Sequence, residues 1–186
     1  MTPLKIAFIG THGVGKTTLC YDLAAVLKRE GRHVDIVKEV ARQSPLPINR
    51  QTSLEAQLWI LTSQVAEEIR SASQHEVVVC DRSVLDNYAY LSSACGRQRP
   101  VERFVDYWLR TYDLLFKVPM SGEAAADGVR DTDLFFMRSI DRIVDELLAE
   151  KRIRHELLPA GERPSWGERV REVVMASPKL LQRKLE

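Results

Sequence analysis

Near the start of the chain a short, mostly apolar segment, Leu4 to Ile9 (LKIAFI), is cut off by Gly10, and Gly13, Gly15, Lys16 and Thr17 follow at once. From Lys16 to Arg29 the residues Leu19, Leu23, Val26 and Leu27 then recur at helical spacing. Strand, glycine loop and helix in that order give the pattern GxxxxGK[ST] the context it needs, here as Gly10-Thr11-His12-Gly13-Val14-Gly15-Lys16-Thr17. Glycines let the backbone curl so that successive N–H groups face inward at phosphate oxygens, and the helix start adds its positive dipole end. Lys16 is placed to reach the β and γ phosphates of a nucleotide, and the Thr17 hydroxyl to serve Mg²⁺, a hard cation that prefers oxygen ligands. Thr18 is a further donor, whereas His12 stands at a variable position of the loop that tolerates most residues.

The rest of the chain repeats the alternation. Gly31 closes the first helix, and His33 to Val37 (HVDIV) alternates as a second strand would. Ser44 to Asn49 (SPLPIN) is a loop, after which Thr52 or Ser53 can cap a helix carrying Leu54, Leu58, Leu61, Val65 and Ile69 and ending before Gln74. Val77 to Cys80 is an unbroken run of the kind buried on both faces of a parallel sheet. Helices are expected over Val84 to Ser93 and Val101 to Thr111, a strand over Asp113 to Val118, and a loop over Met120 to Gly128. A helix over Asp131 to Lys151, a strand over Ile153 to Leu158 and a last helix over Trp166 to Leu185 complete the reading. Alternating strands and helices joined by long crossovers point to an α/β parallel sheet, with ligands at the carboxyl ends of its strands.

The residues of chemical interest fall at those ends. Glu39, after the second strand, is the candidate general base, able to take the proton of a substrate hydroxyl or to hold that hydroxyl in place. Arg42 can pair with Glu39 or with a substrate anion. Asp81, at the exit of the third strand, fits an acid that orients Mg²⁺ directly or through water. Arg82 beside it can present a planar fork to a phosphate or a substrate oxygen, or simply form an ion pair. Asp86, Asn87, Tyr88 and Tyr90 follow, the tyrosines suited equally to core packing and to substrate contact. Gln57 and Gln64 share a helix face and can read a base edge, although a solvated polar stripe with Trp59 packed elsewhere is the preferred reading. Arg130 follows the small-residue loop, and Arg138 and Arg142, four apart, can face one site or be solvated charges. Trp108 and Trp166 are expected in the core.

Composition narrows the options. The 186 residues carry a net charge of +1, too little for a protein that holds nucleic acid or membrane mainly through a basic field. A single domain over residues 1–186 is expected to bury about 70% of its unfolded surface without metal or disulfide staples. Cys20, Cys80 and Cys95 show neither pairing nor zinc spacing, which fits a reduced, cytoplasmic protein; no targeting or membrane segment and no internal repeat is visible.

The set GTHGVGKTT, KEVAR, VVVCDRS and DGVRDTD ahead of an arginine-bearing helix resembles the P-loop nucleoside and nucleotide kinases. The nearest likeness is to AAA-type ATP-binding proteins similar to bacterial ribosylnicotinamide kinase domains, with thymidylate and deoxynucleoside kinases further off; it covers Lys5 to Leu158. The resemblance implies a three-layer P-loop NTPase fold with five parallel strands in the order 2-3-1-4-5 and a LID segment, residues 119–142. It further implies ATP and Mg²⁺ held by Gly10 to Thr17, Glu39 as base, Asp81 and Arg82 as the acidic–Arg pair, Arg130 in the LID, and a purine-binding loop near Pro159 to Glu162. Three functions compete. The first is an ATP-dependent kinase of a small nucleoside, nucleotide or related hydroxyl acceptor, and the second a nucleotide-dependent switch or regulatory ATPase without an acceptor. The third, a 5′-end polynucleotide kinase, gains little support from the +1 balance. No NKxD-like stretch points to GTP, and a homodimer through Val101 to Thr111 stays open.

Overall fold

All six residues of the first strand, β1 (Leu4–Ile9), are buried, because alternate side chains feed two separate cores on the two faces of one sheet. The computed structural model describes residues 2–48, 52–120 and 134–182. In chain order the elements after β1 are α1 (Lys16–Arg29), β2 (Val34–Val37), a 3₁₀ turn (Val40–Gln43), α2 (Leu54–Ala72), β3 (Val77–Asp81), α3 (Val84–Cys95) and α4 (Arg99–Leu109). There follow β4 (Leu114–Lys117), α5 (Leu134–Glu150), β5 (Glu156–Leu157), α6 (Arg163–Met175) and α7 (Pro178–Gln182). The five strands are all parallel, in the order β2-β3-β1-β4-β5.

Ile6, Phe8, Val77, Val79 and Phe116 face α1 and α6, where Leu19, Leu23, Leu27, Trp166 and Val170 pack against them. Ala7, Ile9, Val78, Cys80 and Leu115 face the opposite way, onto Leu61, Leu85, Tyr88, Val105 and Ile140. Phe8 and Phe116, opposite each other in register, stack with ring centroids 5.4 Å apart. The sheet is thus sandwiched between helical layers, and the ends of β1, β2 and β3 that carry Gly10, Glu39 and Asp81 lie side by side.

Some local expectations hold and others change. Gly31 ends α1 with φ 77° while its N–H donates to Lys28 O and that of Arg32 to Leu27 O, the paired bonds of a left-handed helix stop. Ser53 rather than Thr52 caps α2, accepting from the Ala56 N–H at 3.3 Å. β3 runs one residue further, through Asp81, and α4 begins at Arg99, with Pro100 in its first turn. The fifth strand is only two residues long, because just Phe116 and Lys117 of β4 offer it partners. The last helix is two, interrupted at Ser177 before Pro178, which cannot donate to a continuing helix. Trp166 is core and donates to Pro159 O at 2.8 Å. Trp108 is only half-buried, its indole N–H turned onto the Glu68 carboxylate at 2.8 Å. Residues 121–133, with most of the expected loop and Arg130, lie outside the described residues.

Phe116→Ala is expected to cost about 3–5 kcal/mol of unfolding free energy by urea denaturation, since a ring stacked between β1 and the α1/α6 layer is replaced by a cavity. Tyr107→Ser, at a side chain 68% exposed on α4, should change stability by less than about 0.5 kcal/mol.

Candidate functional site

The loop between β1 and α1 is shaped by glycine where no other residue fits. Gly10 has φ 135°, and a Cβ there would stand 2.7 Å from Val118 O, inside contact distance of a backbone carbonyl. Gly15, at φ 102°, precedes α1 with no side-chain cap, and the first turn of α1 contains no acidic residue. Its early N–H groups therefore rely on something other than a local side chain, as at an anion-binding helix start. The contrast is α3, where Ser83 and Asp86 form a reciprocal capping box.

Asp86 does more than cap. Its Oδ2 accepts the Ser83 N–H at 2.8 Å and the Ser83 hydroxyl at 3.0 Å, while its Oδ1 accepts the Gly10 N–H at 2.7 Å. One buried carboxylate thus joins the entry of the glycine loop to the segment after β3. The spacing Ser83-x-x-Asp86 carries this signal in the sequence. His12 donates its backbone N–H to Tyr90 Oη at 3.2 Å, and its Nδ1 lies 2.8 Å from the same oxygen. Its ring also lies against Phe136 of α5, centroids 5.9 Å apart. Val14 buries its side chain in the α1-side core and so offers the site only its backbone, whereas Thr18 is exposed.

Lys16 is buried and donates to Gly10 O at 3.0 Å and to Thr11 O. Burial, with a further push from the Arg82 charge, lowers its ammonium pKa to about 8, although Asp86, Asp81 and Glu39 pull the other way. The Thr17 hydroxyl donates to Asp81 Oδ2 at 2.6 Å, bringing the two expected metal-orienting groups together. That pair is all oxygen, as Mg²⁺ prefers. Among the described residues no group of three or more His, Cys, Asp or Glu could hold a metal by itself. An Mg²⁺ ion at this pair would share its coordination with phosphate oxygens and water.

Next to it stands a second pair. Arg82 Nε donates to Glu39 Oε1 at 2.8 Å, and Arg42 Nε to Glu39 Oε2 at 3.2 Å, so Arg42 takes the pairing role open to it. Both Glu39 and Arg82 are more than nine-tenths buried. Burial alone would lower the affinity of Arg82 for its proton, but Glu39 and then Tyr90, Asp86 and Asp81 raise it, so the guanidinium stays charged. Its carbon lies 4.9 Å from the centre of the Tyr90 ring. Tyr90 therefore belongs to the site, while Tyr88 is core and reaches Glu102 with its hydroxyl. Arg82 Nη1, Asn87 Nδ2, Gln64 Oε1 and Thr11 Oγ1 are buried and have no hydrogen-bond partner among the described residues.

Gln57 and Gln64 are both buried, which overturns the solvated stripe. Gln57 Nε2 donates to Thr52 Oγ1 at 2.8 Å, and Gln64 Nε2 to Glu68 Oε1 at 2.9 Å and Arg82 O at 3.3 Å. Arg138 and Arg142 are exposed on α5, and Arg142 pairs with Glu146 at 3.6 Å.

Fold and loop together define an α/β protein of the P-loop kind. The chain belongs to the AAA domain family, whose model matches residues 5–169. In structure it is similar to thymidylate kinase from Ehrlichia chaffeensis, with TM-score 0.69 and 17% identity over 94% of this chain and 100% of that one. It is also similar to deoxyadenosine kinase from M. mycoides, with TM-score 0.67, 16% identity and the same coverage. At these identities the likeness is one of fold. No curated protein matches the chain.

The Lys16 environment gives stability a pH dependence. Lys16 keeps its proton up to about pH 10.5 when unfolded but only to about pH 8 when folded. The folded state then binds fewer protons between those values, and stability rises with pH across that window. The unfolding free energy of the wild-type protein minus that of Lys16→Met is expected to rise by up to about 3 kcal/mol between pH 7.5 and pH 10.5. A pH-independent difference in urea titrations would contradict it.

Proposed function

We propose that the chain is an ATP- and Mg²⁺-dependent phosphotransferase acting on a small nucleoside, nucleotide or related hydroxyl acceptor. The observation that carries this reading is the buried Glu39–Arg82 pair beside the phosphate loop, with the unpartnered donors Arg82 Nη1 and Asn87 Nδ2 in the same region. A nucleotide switch needs the loop alone, whereas a kinase needs polar groups for a second substrate. The structural neighbours support it, one a thymidylate kinase and the other a deoxyadenosine kinase with the products dCMP and a flexible dCDP bound.

In this reading the backbone from Gly10 to Thr17 cradles the phosphates, Thr18 adds a donor, and Lys16 follows the β and γ oxygens. Bound Mg²⁺ would neutralise charge on the phosphates, with Thr17 and Asp81 orienting it. Glu39 accepts a hydrogen bond from the acceptor's hydroxyl and takes its proton, Arg82 holds Glu39 in place through Nε, and its Nη1, buried without a partner among the described residues, would donate to a substrate oxygen. Arg130, outside the described residues, and the exposed Arg138 are the arginines of the LID side, and His12 lines the loop against Tyr90. Among the described residues no helix is long and apolar enough to cross a membrane, and all three cysteines are free, in keeping with a reducing cytoplasm. A homodimer through α4 belongs to the same reading.

The test is phosphate transfer from labelled ATP·Mg²⁺ to a panel of nucleosides, nucleotides and ribosyl compounds. Transfer to one acceptor should fall at least about a hundredfold in Glu39→Gln if that carboxylate is the base, and vanish in Lys16→Ala. ATP binding with only slow hydrolysis across the panel would favour the switch instead.

A further inference from the structure

The backbone after β3 is held in an unfavourable conformation at the residue that faces Glu39. Arg82 has φ 99°, in the region that non-glycine residues avoid. Three side chains grip the backbone there. Gln64 Nε2 donates to Arg82 O at 3.3 Å, Asp86 Oδ2 accepts the Ser83 N–H at 2.8 Å, and Tyr112 Oη accepts the Val84 N–H at 3.1 Å. Two of the three, Gln64 and Tyr112, hang on one group outside the site, Glu68 of α2.

Glu68 is completely buried. Its Oε1 accepts from Tyr112 Oη at 2.6 Å and from Gln64 Nε2 at 2.9 Å. Its Oε2 accepts from Lys5 Nζ at 2.9 Å and Trp108 Nε1 at 2.8 Å. Lys5, a β1 residue on the face of Ala7 and Ile9, also donates to Thr111 Oγ1 at 2.8 Å and lies 4.6 Å from the centre of the Trp108 ring. Four donors on two oxygens specify an ionised carboxylate. That charge decides which way its neighbours face. The Gln64 amide can present its NH₂ end to both Glu68 Oε1 and Arg82 O, whereas flipped it would set three oxygens against one another and release Arg82 O. The Tyr112 hydroxyl, having given its proton to Glu68, can only accept from Val84. A glutamine at 68 has only one acceptor oxygen and could not receive all four donors, so it would not hold both orientations together.

We propose that Glu68 is a positioning residue for Arg82: through Gln64 and Tyr112 it fixes the strained backbone from Arg82 to Val84 and thereby aims the guanidinium at Glu39. The functional consequence rests on the kinase reading above, in which the Glu39–Arg82 pair serves the acceptor; the positional claim does not.

The test reads Arg82 directly. In full-length protein labelled with ¹⁵N-arginine, the Arg82 Nε–H signal, assigned by its loss in Arg82→Lys, should exchange slowly with solvent because it is buried on Glu39. Glu68→Gln and Tyr112→Phe are each expected to accelerate that exchange at least about tenfold. Val170→Ala, in the core on the other face of the sheet, should lower thermal stability without accelerating it. Tyr112→Phe leaves the Lys5–Glu68 pair intact and carries the test alone if Glu68→Gln fails to fold. Unchanged exchange in folded Glu68→Gln or in Tyr112→Phe, or equal acceleration in Val170→Ala at matched loss of stability, would overturn the proposal. For an acceptor turned over in the panel assay, the same two variants should lower kcat about tenfold with KM for ATP within about twofold. Absence of transfer by the wild-type protein would sink the kinase reading and leave the exchange result standing on its own.

Discussion

The carboxylate of Asp86 is the point at which the two halves of the site meet. With one oxygen it holds the Gly10 N–H at the exit of β1, and with the other the backbone and hydroxyl of Ser83 at the exit of β3. Buried and accepting three hydrogen bonds, it fixes the distance between the loop that would hold phosphate and the segment carrying Asp81 and Arg82. Register between β1 and β3, with Phe8 opposite Asp81, sets the same spacing from the sheet side. The loop is therefore braced twice, by strand pairing below and by a carboxylate above.

Around that brace the charges alternate. Lys16 and Arg82 lie among Glu39, Asp81 and Asp86, and every one of the five is buried. Pairing is what makes such burial tolerable, and geometry separates the roles. Asp81 is committed to Thr17 and Glu39 to two arginines, so the two carboxylates occupy different chemical positions. Lys16 bears the desolvation cost as a lowered pKa, a condition that phosphate charge beside it would relieve.

Much of this was legible in the residues. The glycine pattern after LKIAFI marked the loop, and the unbroken VVVC run marked the central strand with its acid at the exit, because a parallel sheet buried on both faces leaves so direct a trace. The ends of elements were less legible: β5 shrinks to two residues because pairing, which depends on β4, decides it, and the final helix breaks at Pro178 after an uninterrupted apolar pattern. Gln64 read as surface because a buried amide and a solvated one look alike in a periodicity; only the carboxylate four residues on, itself buried by Lys5 from a strand 63 residues away, explains its place. Contacts of that separation leave no local signature.

The shortness of the outer strands has its own consequence. β2, on one side of the sheet, has four residues, and β5, on the other, has two. Such edges offer a neighbouring molecule few free N–H and C=O groups in a row, so they are poor templates for adding a strand from another chain. Accidental edge-to-edge pairing of sheets, the usual route from an exposed strand to insoluble fibre, is thereby blunted at both sides.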